Sequence, residues 1–85
     1  MFDNSRVFIT GGTGSWGQTL TRLLLADHNP KQIIIYSRGE LAQVMMQRKF
    51  QDDRIKYVIG DVRDYDAIHR ATQGVDYIFH LAALK

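Results

Sequence analysis

The stretch ITGGTGSWGQT, from Ile9 to Thr19, contains four of the chain's seven glycines. Three of them, Gly11, Gly14 and Gly17, follow G-x-x-G-x-x-G spacing after an apolar run and before a helical pattern. At such positions the first glycine allows a tight turn, the second lets a pyrophosphate approach the main chain, and the third lets the helix pack closely. The unpaired amides at the helix N-terminus attract the anion. The stretch therefore predicts a strand, loop and helix that bind a dinucleotide.

The polar side chains of this loop fit a phosphate site, and the loop also partly matches a second motif. We expect Ser15 to cap the helix, and the hydroxyls of Thr13 and Ser15 to add hydrogen-bond donors. The segment from Gly12 to Thr19 also fits the phosphate-binding loop of nucleotide triphosphatases, except that Gln18 replaces the lysine. That lysine would carry a positive charge to the β- and γ-phosphates. A nucleotide site is therefore the weaker alternative.

The rest of the chain alternates between strand-like and helix-like segments. Apolar runs rich in β-branched and aromatic residues predict four strands, at Arg6 to Thr10, Gln32 to Tyr36, Ile55 to Ile59 and Asp76 to Leu81. Apolar residues at helical spacing predict three helices, at Ser15 to Asp27, Glu40 to Gln51 and Asp64 to Thr72.

The order βαβαβαβ predicts an α/β fold, a Rossmann-like parallel sheet with strand order 3-2-1-4 covered by helices. We assign residues 1–85 to one domain, the N-terminal part of an NAD(P)-binding Rossmann domain. The chain stops at Lys85, directly after the fourth predicted strand. A complete doubly wound domain has about six strands. We therefore expect an incomplete domain that belongs to a longer protein.

The end of the second strand indicates which dinucleotide is bound. An acidic residue about 20 positions after the glycine loop binds the ribose 2′-hydroxyl of NAD, whereas an arginine accommodates the 2′-phosphate of NADP. Here Ser37 and Arg38 can both hydrogen-bond a phosphate. Glu40 favours NAD if it contacts the ribose, but an acidic residue in the first turn of the second helix is the preferred interpretation. The pattern favours NADP, with NAD as the alternative.

The third strand ends in Gly60-Asp61-Val62. The Asp61 carboxylate can accept a hydrogen bond from the adenine amino group while Val62 packs on the ring. The same residues also fit ordinary turn chemistry. Both interpretations remain open, and they are compatible with each other.

Composition excludes several classes of function. The formal net charge is +2 and the eleven basic residues are scattered, so nucleic acid is not an expected partner. Apolar runs are far shorter than the ~20 residues that span a bilayer, and no membrane segment is expected. The absence of cysteine excludes disulfides and fits a cytoplasmic location. The three histidines are too dispersed to predict a metal site, and we expect His80 to be a strand histidine satisfied by packing or a hydrogen bond.

Four segments in this order carry a resemblance: ITGGTGSWG, IYSRGE, GDVRD and FHLAALK. With them, the chain resembles the N-terminal portion of extended short-chain dehydrogenases/reductases over essentially its whole length. Within that family it is most similar to UDP-N-acetylglucosamine 4,6-dehydratases and related nucleotide-sugar epimerases of bacterial surface polysaccharide and flagellar glycan synthesis. The more specific similarity lies in YSRGE, in KFQDDRIKYVIGDVRD and in HLAALK.

The resemblance implies a set of NADP(H) contacts: Gly11, Thr13, Gly14, Ser15, Trp16, Gly17, Ser37, Arg38, Asp61, Val62, Leu81, Ala82 and Ala83. Trp16 departs from the phenylalanine or isoleucine expected there, and its larger ring should still pack beside the cofactor. Small residues after the fourth strand would let the ribose and nicotinamide lie against the backbone. Lys85 matches a lysine near the sugar substrate, without a catalytic role.

The resemblance also implies a lyase that acts on a UDP-sugar and forms a homo-oligomer when complete. The family's catalytic tyrosine is followed four residues later by a lysine, and no tyrosine of this chain has that partner. We therefore expect no catalytic residue here. A UDP-sugar 4-epimerase is the nearest alternative. A non-catalytic NADP-binding or sensing module and an interaction fragment with associating sheet edges are two others.

Overall fold

The structure is a computed structural model that describes residues 2–83. Four strands are present, β1 to β4, at Arg6–Thr10, Gln32–Ser37, Ile55–Ile59 and Tyr77–His80. Three α-helices lie between them, α1 to α3, at Ser15–Asp27, Glu40–Phe50 and Tyr65–Ala71. A single 3₁₀ turn, Leu81–Ala83, follows β4. The predicted element order is confirmed, and the bounds differ from those expected by at most one residue at either end.

The strands form one parallel sheet in the order β3-β2-β1-β4. Phe8 in the centre of β1 lies opposite Ile34 of β2 on one side and Ile78 of β4 on the other. The predicted Rossmann-like sheet with order 3-2-1-4 is therefore confirmed. Because all strands are parallel, their carboxyl ends meet at one edge of the sheet, which is where such folds bind ligands.

Alternate residues of the central strands supply two cores. Val7, Ile9, Ile33 and Ile35 form one core with residues of α1 and α2, including Leu24 and Met46. Phe8, Ile34 and Tyr36 form the other, against residues of α3 and the loops beside it, among them Ile68, Val62 and Val75. The helices α1 and α2 thus cover one face and α3 the other. Right-handed crossovers require this arrangement, because β2 and β3 lie on one side of β1 and β4 lies on the other.

Small differences in the bounds have local causes. Ser37 continues β2 because it pairs with Ile59 of β3. Asp64 lies just before α3 as its N-cap, where its side chain accepts a hydrogen bond from the Ala67 amide. Gln51 ends α2 in the left-handed conformation, at φ 39°. Within residues 2–83, no helix is both long and apolar enough to cross a bilayer.

Candidate functional site

A cleft of about 390 Å³ opens at the carboxyl edge of the sheet. It is lined by Gly11, Tyr36, Ser37, Arg38, Gly60, Asp61, Val62, Arg63 and Ala82. These residues come from the ends of β1, β2 and β3 and from the turn after β4. The structure therefore brings the four sequence segments that were predicted to form a dinucleotide site to one place.

Gly11 and Ala82 both line the cleft, and their backbones pack closely against each other. Gly11 has φ +67°, in the left-handed region that favours glycine, and its amide donates to the Tyr36 carbonyl at 3.0 Å. A Cβ atom on Gly11 would lie 2.8 Å from the Ala82 backbone nitrogen. The tight turn predicted at Gly11 is present, and it also allows the backbone after β4 to pack directly on the loop.

The helix α1 begins at Ser15, with Gly14 as its N-cap and no side chain capping it. The expectation that Ser15 caps this helix is wrong, because Ser15 is already its first helical residue. The amides of Ser15, Trp16 and Gly17 precede the first intrahelical bond, which Gln18 donates to the Gly14 carbonyl at 2.9 Å. Three consecutive amides at the positive end of the helix dipole thus have no side-chain cap, which suits an anion.

The other two helices differ from α1 at this end. The first turn of α1 contains no acidic residue. In contrast, α2 has Glu40 in its first turn, and the N-cap Asp64 already accepts from an amide of α3. Among the helices that the structure describes, α1 therefore has the N-terminus best suited to a phosphate.

Of the predicted contacts in the glycine loop, Gly11 lines the cleft, whereas Thr13, Gly14, Ser15, Trp16 and Gly17 lie outside its lining. The Thr13 carbonyl accepts from Gln18 Nε2 at 2.9 Å, and Gln18 in turn accepts from Lys49 Nζ of α2 at 3.1 Å. Gln18 therefore holds the loop in place and does not point to a phosphate, as the lysine of a triphosphatase loop would. The Trp16 ring is 73% exposed and does not line the cleft. Its contact with a cofactor stays a prediction.

Ser37 is positioned by a buried glutamine that the sequence did not point to. Gln43 of α2 is 5% exposed, and its Nε2 donates to Ser37 Oγ and to the Val58 carbonyl, both at 2.9 Å. The amide therefore ties α2 to the ends of β2 and β3. Because Gln43 occupies an acceptor position on Oγ, the Ser37 hydroxyl keeps its own proton to donate to a ligand.

Replacing Gln43 with leucine is expected to lower the free energy of unfolding by about 1–3 kcal/mol, because Ser37 Oγ and the part-buried Val58 carbonyl lose their buried donor. Urea denaturation of both proteins measures the difference. Gln47→Leu is the matched control, since Gln47 lies one turn later on the same helix and is exposed. We expect this control to change stability by less than about 0.5 kcal/mol. Equal effects of the two substitutions would contradict the role assigned to Gln43.

Asp61 is held by Arg63 at the end of β3. Asp61 Oδ1 accepts from the Arg63 backbone amide at 2.8 Å and from Nε at 3.1 Å, while Oδ2 accepts from Nη2 at 2.8 Å. Arg38 is more distant, with Nη1 4.0 Å from Asp61 Oδ2. The side-chain and backbone hydrogen bonds from Arg63 hold the pKa of the Asp61 carboxyl well below its usual range.

Tyr36 and Val62 form the apolar floor of the cleft. Tyr36 is fully buried, and its hydroxyl donates to the Asp61 carbonyl at 2.9 Å. Burial, followed by the nearby Asp64 and Asp61 carboxylates, raises the pKa of the Tyr36 hydroxyl above its ordinary value. Val62 packs against the same core as Tyr36. The floor is therefore rigid, and the Tyr36 hydroxyl stays protonated at neutral pH.

The segment after β4 supplies the remaining predicted contacts. Leu81 packs on the core beneath α1 and α2, whereas Ala82 lines the cleft. Ala83 ends the 3₁₀ turn, and Lys85 lies outside the described residues. His80 Nδ1 hydrogen-bonds Thr10 Oγ1 at 2.7 Å, so the prediction that His80 is satisfied within the sheet is confirmed.

The parallel sheet, the glycine loop and the cleft at the carboxyl edge define a Rossmann-like α/β protein with the architecture of a dinucleotide site. Residues 7–85 match a protein family described as polysaccharide biosynthesis protein. Because the match covers nearly all of the sequence, the chain belongs to this family.

Two relatives of this chain have names that state an activity on a UDP-sugar. The chain is 47% identical over 85 residues to a UDP-N-acetylglucosamine 4,6-dehydratase (inverting) of Campylobacter jejuni subsp. jejuni serotype O:23/36, covering 100% of this chain and 25% of the relative. It is 48% identical over 88 residues to a UDP-glucose 4-epimerase of Rickettsia massiliae, covering 100% of this chain and 26% of the relative. The chain thus spans about a quarter of the length of these relatives.

A solved structure, that of Pen from Bacillus thuringiensis, superposes with a TM-score of 0.90 at 38% identity. The superposition covers 95% of this chain and 25% of the other. The fold described above therefore also occurs within a longer protein.

Proposed function

We propose that this chain binds NADP(H) and forms the cofactor-binding part of a nucleotide-sugar 4,6-dehydratase of the UDP-N-acetylglucosamine type, in polysaccharide or glycan synthesis. The observation that carries the proposal is the uncapped N-terminus of α1, whose N-cap Gly14 donates its amide to the carbonyl of the cleft residue Gly11 at 3.2 Å. The lining of that cleft includes two arginines and one aspartate. An anionic ligand fits this arrangement of amides and positive charge. The similarity to the Campylobacter jejuni dehydratase supports the substrate class.

The residues present fit such a cofactor. The amides of Ser15 to Gly17 would hold the pyrophosphate, and Ser37 with Arg38 would hold the 2′-phosphate. The Asp61 carboxylate would accept from the adenine amino group while Val62 packs on the ring. When bound, the nicotinamide supplies reversible hydride transfer to and from the sugar around the loss of water.

We place no catalytic base in the described part of the chain. Tyr36 is the one tyrosine that lines the cleft, and its buried hydroxyl donates to the Asp61 carbonyl. Its raised pKa makes it a poor base at neutral pH. We accordingly assign Tyr36 a structural role. The UDP-sugar substrate and a homo-oligomeric assembly belong to the proposal for the complete protein.

An NMR titration that resolves individual amides tests cofactor binding. We expect NADP⁺ to shift the amides of Gly11 to Gly17 together with those of Ser37 and Arg38, and to bind at least about tenfold more tightly than NAD⁺. Trp16 is the single tryptophan of the chain, so its fluorescence gives an independent reading of the same titration. A well-dispersed spectrum that neither dinucleotide changes would overturn the proposal.

A UDP-sugar 4-epimerase is the second candidate, because the Rickettsia massiliae relative is as similar as the dehydratase. Mass spectrometry of UDP-N-acetylglucosamine incubated with the complete protein separates the two. A dehydratase product is lighter by one water, whereas an epimerase product has the mass of the substrate and is distinguished from it by the couplings of its C4 proton in ¹H NMR. Binding of NADP⁺ without either product would instead indicate a non-catalytic NADP-binding or sensing module.

A further inference from the structure

The charges that line the cleft are unevenly paired. Arg38, Arg63 and Asp61 are the only charged side chains among its described lining residues, so the lining carries one net positive charge. Arg63 makes three hydrogen bonds of 3.1 Å or less to the Asp61 carboxylate. Arg38 makes one long contact with it, at 4.0 Å. The aspartate is thus the partner of Arg63, and Arg38 is left largely unpaired.

The covalent sequence favours this pairing over the alternative. Asp61 and Arg63 are two residues apart, and the Arg63 amide itself donates to Asp61 Oδ1, as in an Asx-turn. The turn brings the Arg63 side chain back over the carboxylate. Arg38 follows β2, whereas Asp61 and Arg63 follow β3, and the Arg38 side chain is 69% exposed. Its guanidinium therefore remains free to turn toward a ligand in the cleft.

We propose that Arg63 is a positioning residue that determines dinucleotide specificity: it pairs with Asp61 and so leaves Arg38 available to a ribose 2′-phosphate. This inference rests on the proposed function. A carboxylate beside the 2′-phosphate site repels a group that carries about two negative charges at neutral pH. Arg63 offsets that repulsion without contacting the phosphate. It also keeps the Asp61 carboxylate fixed for the adenine amino group.

The same arrangement explains how an acidic residue and a phosphate can share one site. Without Arg63, Asp61 would have Arg38 as its only guanidinium partner among the lining residues. The lining would then be neutral, and Arg38 would have to leave the carboxylate before binding a phosphate. NAD⁺ lacks the 2′-phosphate, so its affinity depends much less on this competition.

The test compares dissociation constants of NADP⁺ and NAD⁺ for Arg63→Gln, Asp61→Asn and the double variant at low ionic strength. We expect Arg63→Gln to reduce the preference for NADP⁺ by about three- to tenfold, through a weaker affinity for NADP⁺. We expect Asp61→Asn to keep or increase the preference, and the double variant to return close to the original one. Arg48→Gln on α2 is the charge-matched control and should leave the preference unchanged.

Each outcome separates the possible roles. If the double variant keeps the loss seen in Arg63→Gln, Arg63 binds the phosphate directly and the positioning role is wrong. If Arg63→Gln weakens both dinucleotides equally, its role is structural and the inference also fails. If the unmodified chain binds neither dinucleotide, the proposed function fails and this inference fails with it. A preference for NADP⁺ that Arg63→Gln leaves intact overturns the inference alone.

A ligand-free measurement keeps the inference testable on its own. We expect the Asp61 carboxyl, followed by ¹³C NMR, to titrate below the usual aspartate pKa, because Arg63 stabilises its charged form. Arg63→Gln should raise this pKa toward about 3.9, and Arg63→Lys should raise it less, since lysine keeps the charge. An Asp61 pKa that Arg63→Gln does not change would show that the pair is absent in solution and would overturn the inference.

Discussion

Replacing Gly17 with alanine is expected to lower the free energy of unfolding by about 3 kcal/mol. Alanine favours helices by about 1 kcal/mol over glycine, so a helix considered alone predicts the opposite sign. A Cβ atom on Gly17, however, would overlap the backbone of Gly12. Because the clash is with main-chain atoms, no side-chain rotation relieves it, and α1 must move away from the loop. Urea denaturation measures the change.

Gly39→Ala is the matched control for this prediction. Gly39 is also at the start of a helix, has φ −88°, and would place its Cβ an ordinary 3.6 Å from Ala42 Cβ. We expect it to cost less than about 1 kcal/mol, as alanine is only a poorer N-cap than glycine. Since the amides proposed to hold the pyrophosphate belong to α1, Gly17→Ala should weaken dinucleotide binding as well. A Gly17→Ala protein as stable as the original would show that α1 does not pack as closely as described.

Replacing Arg38 with glutamine is expected to weaken NADP⁺ binding by about 10- to 100-fold, which corresponds to the loss of one or two charged hydrogen bonds to a phosphate. The affinity for NAD⁺ should change by less than about threefold, because NAD⁺ has a hydroxyl at the 2′ position and the rest of the cleft is unaltered. Isothermal titration calorimetry with both dinucleotides measures the two constants.

The control again is Arg48→Gln, which removes the same charge from an exposed position in the last turn of α2. If it weakens NADP⁺ as much as Arg38→Gln does, the effect comes from the total charge of the chain and not from a contact. A loss of NADP⁺ and NAD⁺ affinity in equal measure would indicate that Arg38 stacks on the adenine that both cofactors share.

The fold was readable from the sequence because its local signals agree with one another. Each strand is a run of β-branched or aromatic residues, and the central run from Ile33 to Tyr36 is buried completely or nearly so, as a parallel sheet requires. Turn residues separate the runs, and Gly11 adopts the positive φ that its position in the motif demands. The strand order then follows from the handedness of the connections.

The parts of the site that were not predicted depend on side-chain contacts between separate elements. Gln43 looks like an ordinary polar residue of a helix, and only the approach of α2 to the ends of β2 and β3 makes it a buried donor. The available signal was that Gln43 precedes Met46 by three residues, a spacing that places both on one face of the helix.

Arg63 and Ser15 are two further residues whose contacts could not be predicted from the sequence. Turn chemistry was one expectation for Gly60-Asp61-Val62, and a turn is present, but its conformation directs the Arg63 guanidinium back to Asp61. Ser15 is a good capping residue by type, yet the glycine before it takes the capping position. In both cases the residue type indicated which interaction was possible, while the path of the backbone determined which residue makes it.

The close packing of Gly11 on Ala82 means that a ligand bound in the cleft can also affect the kinetics of folding. The neighbouring hydrogen bonds of Thr10 to His80 and to the Ala82 amide span 70 and 72 residues. Forming contacts between such distant segments costs a large loop-closure entropy, so these contacts form late in folding. A ligand that bridges the loop and β4 acts on this late step, so it should slow the detachment of β4 and protect its amides from hydrogen exchange more than those of β3.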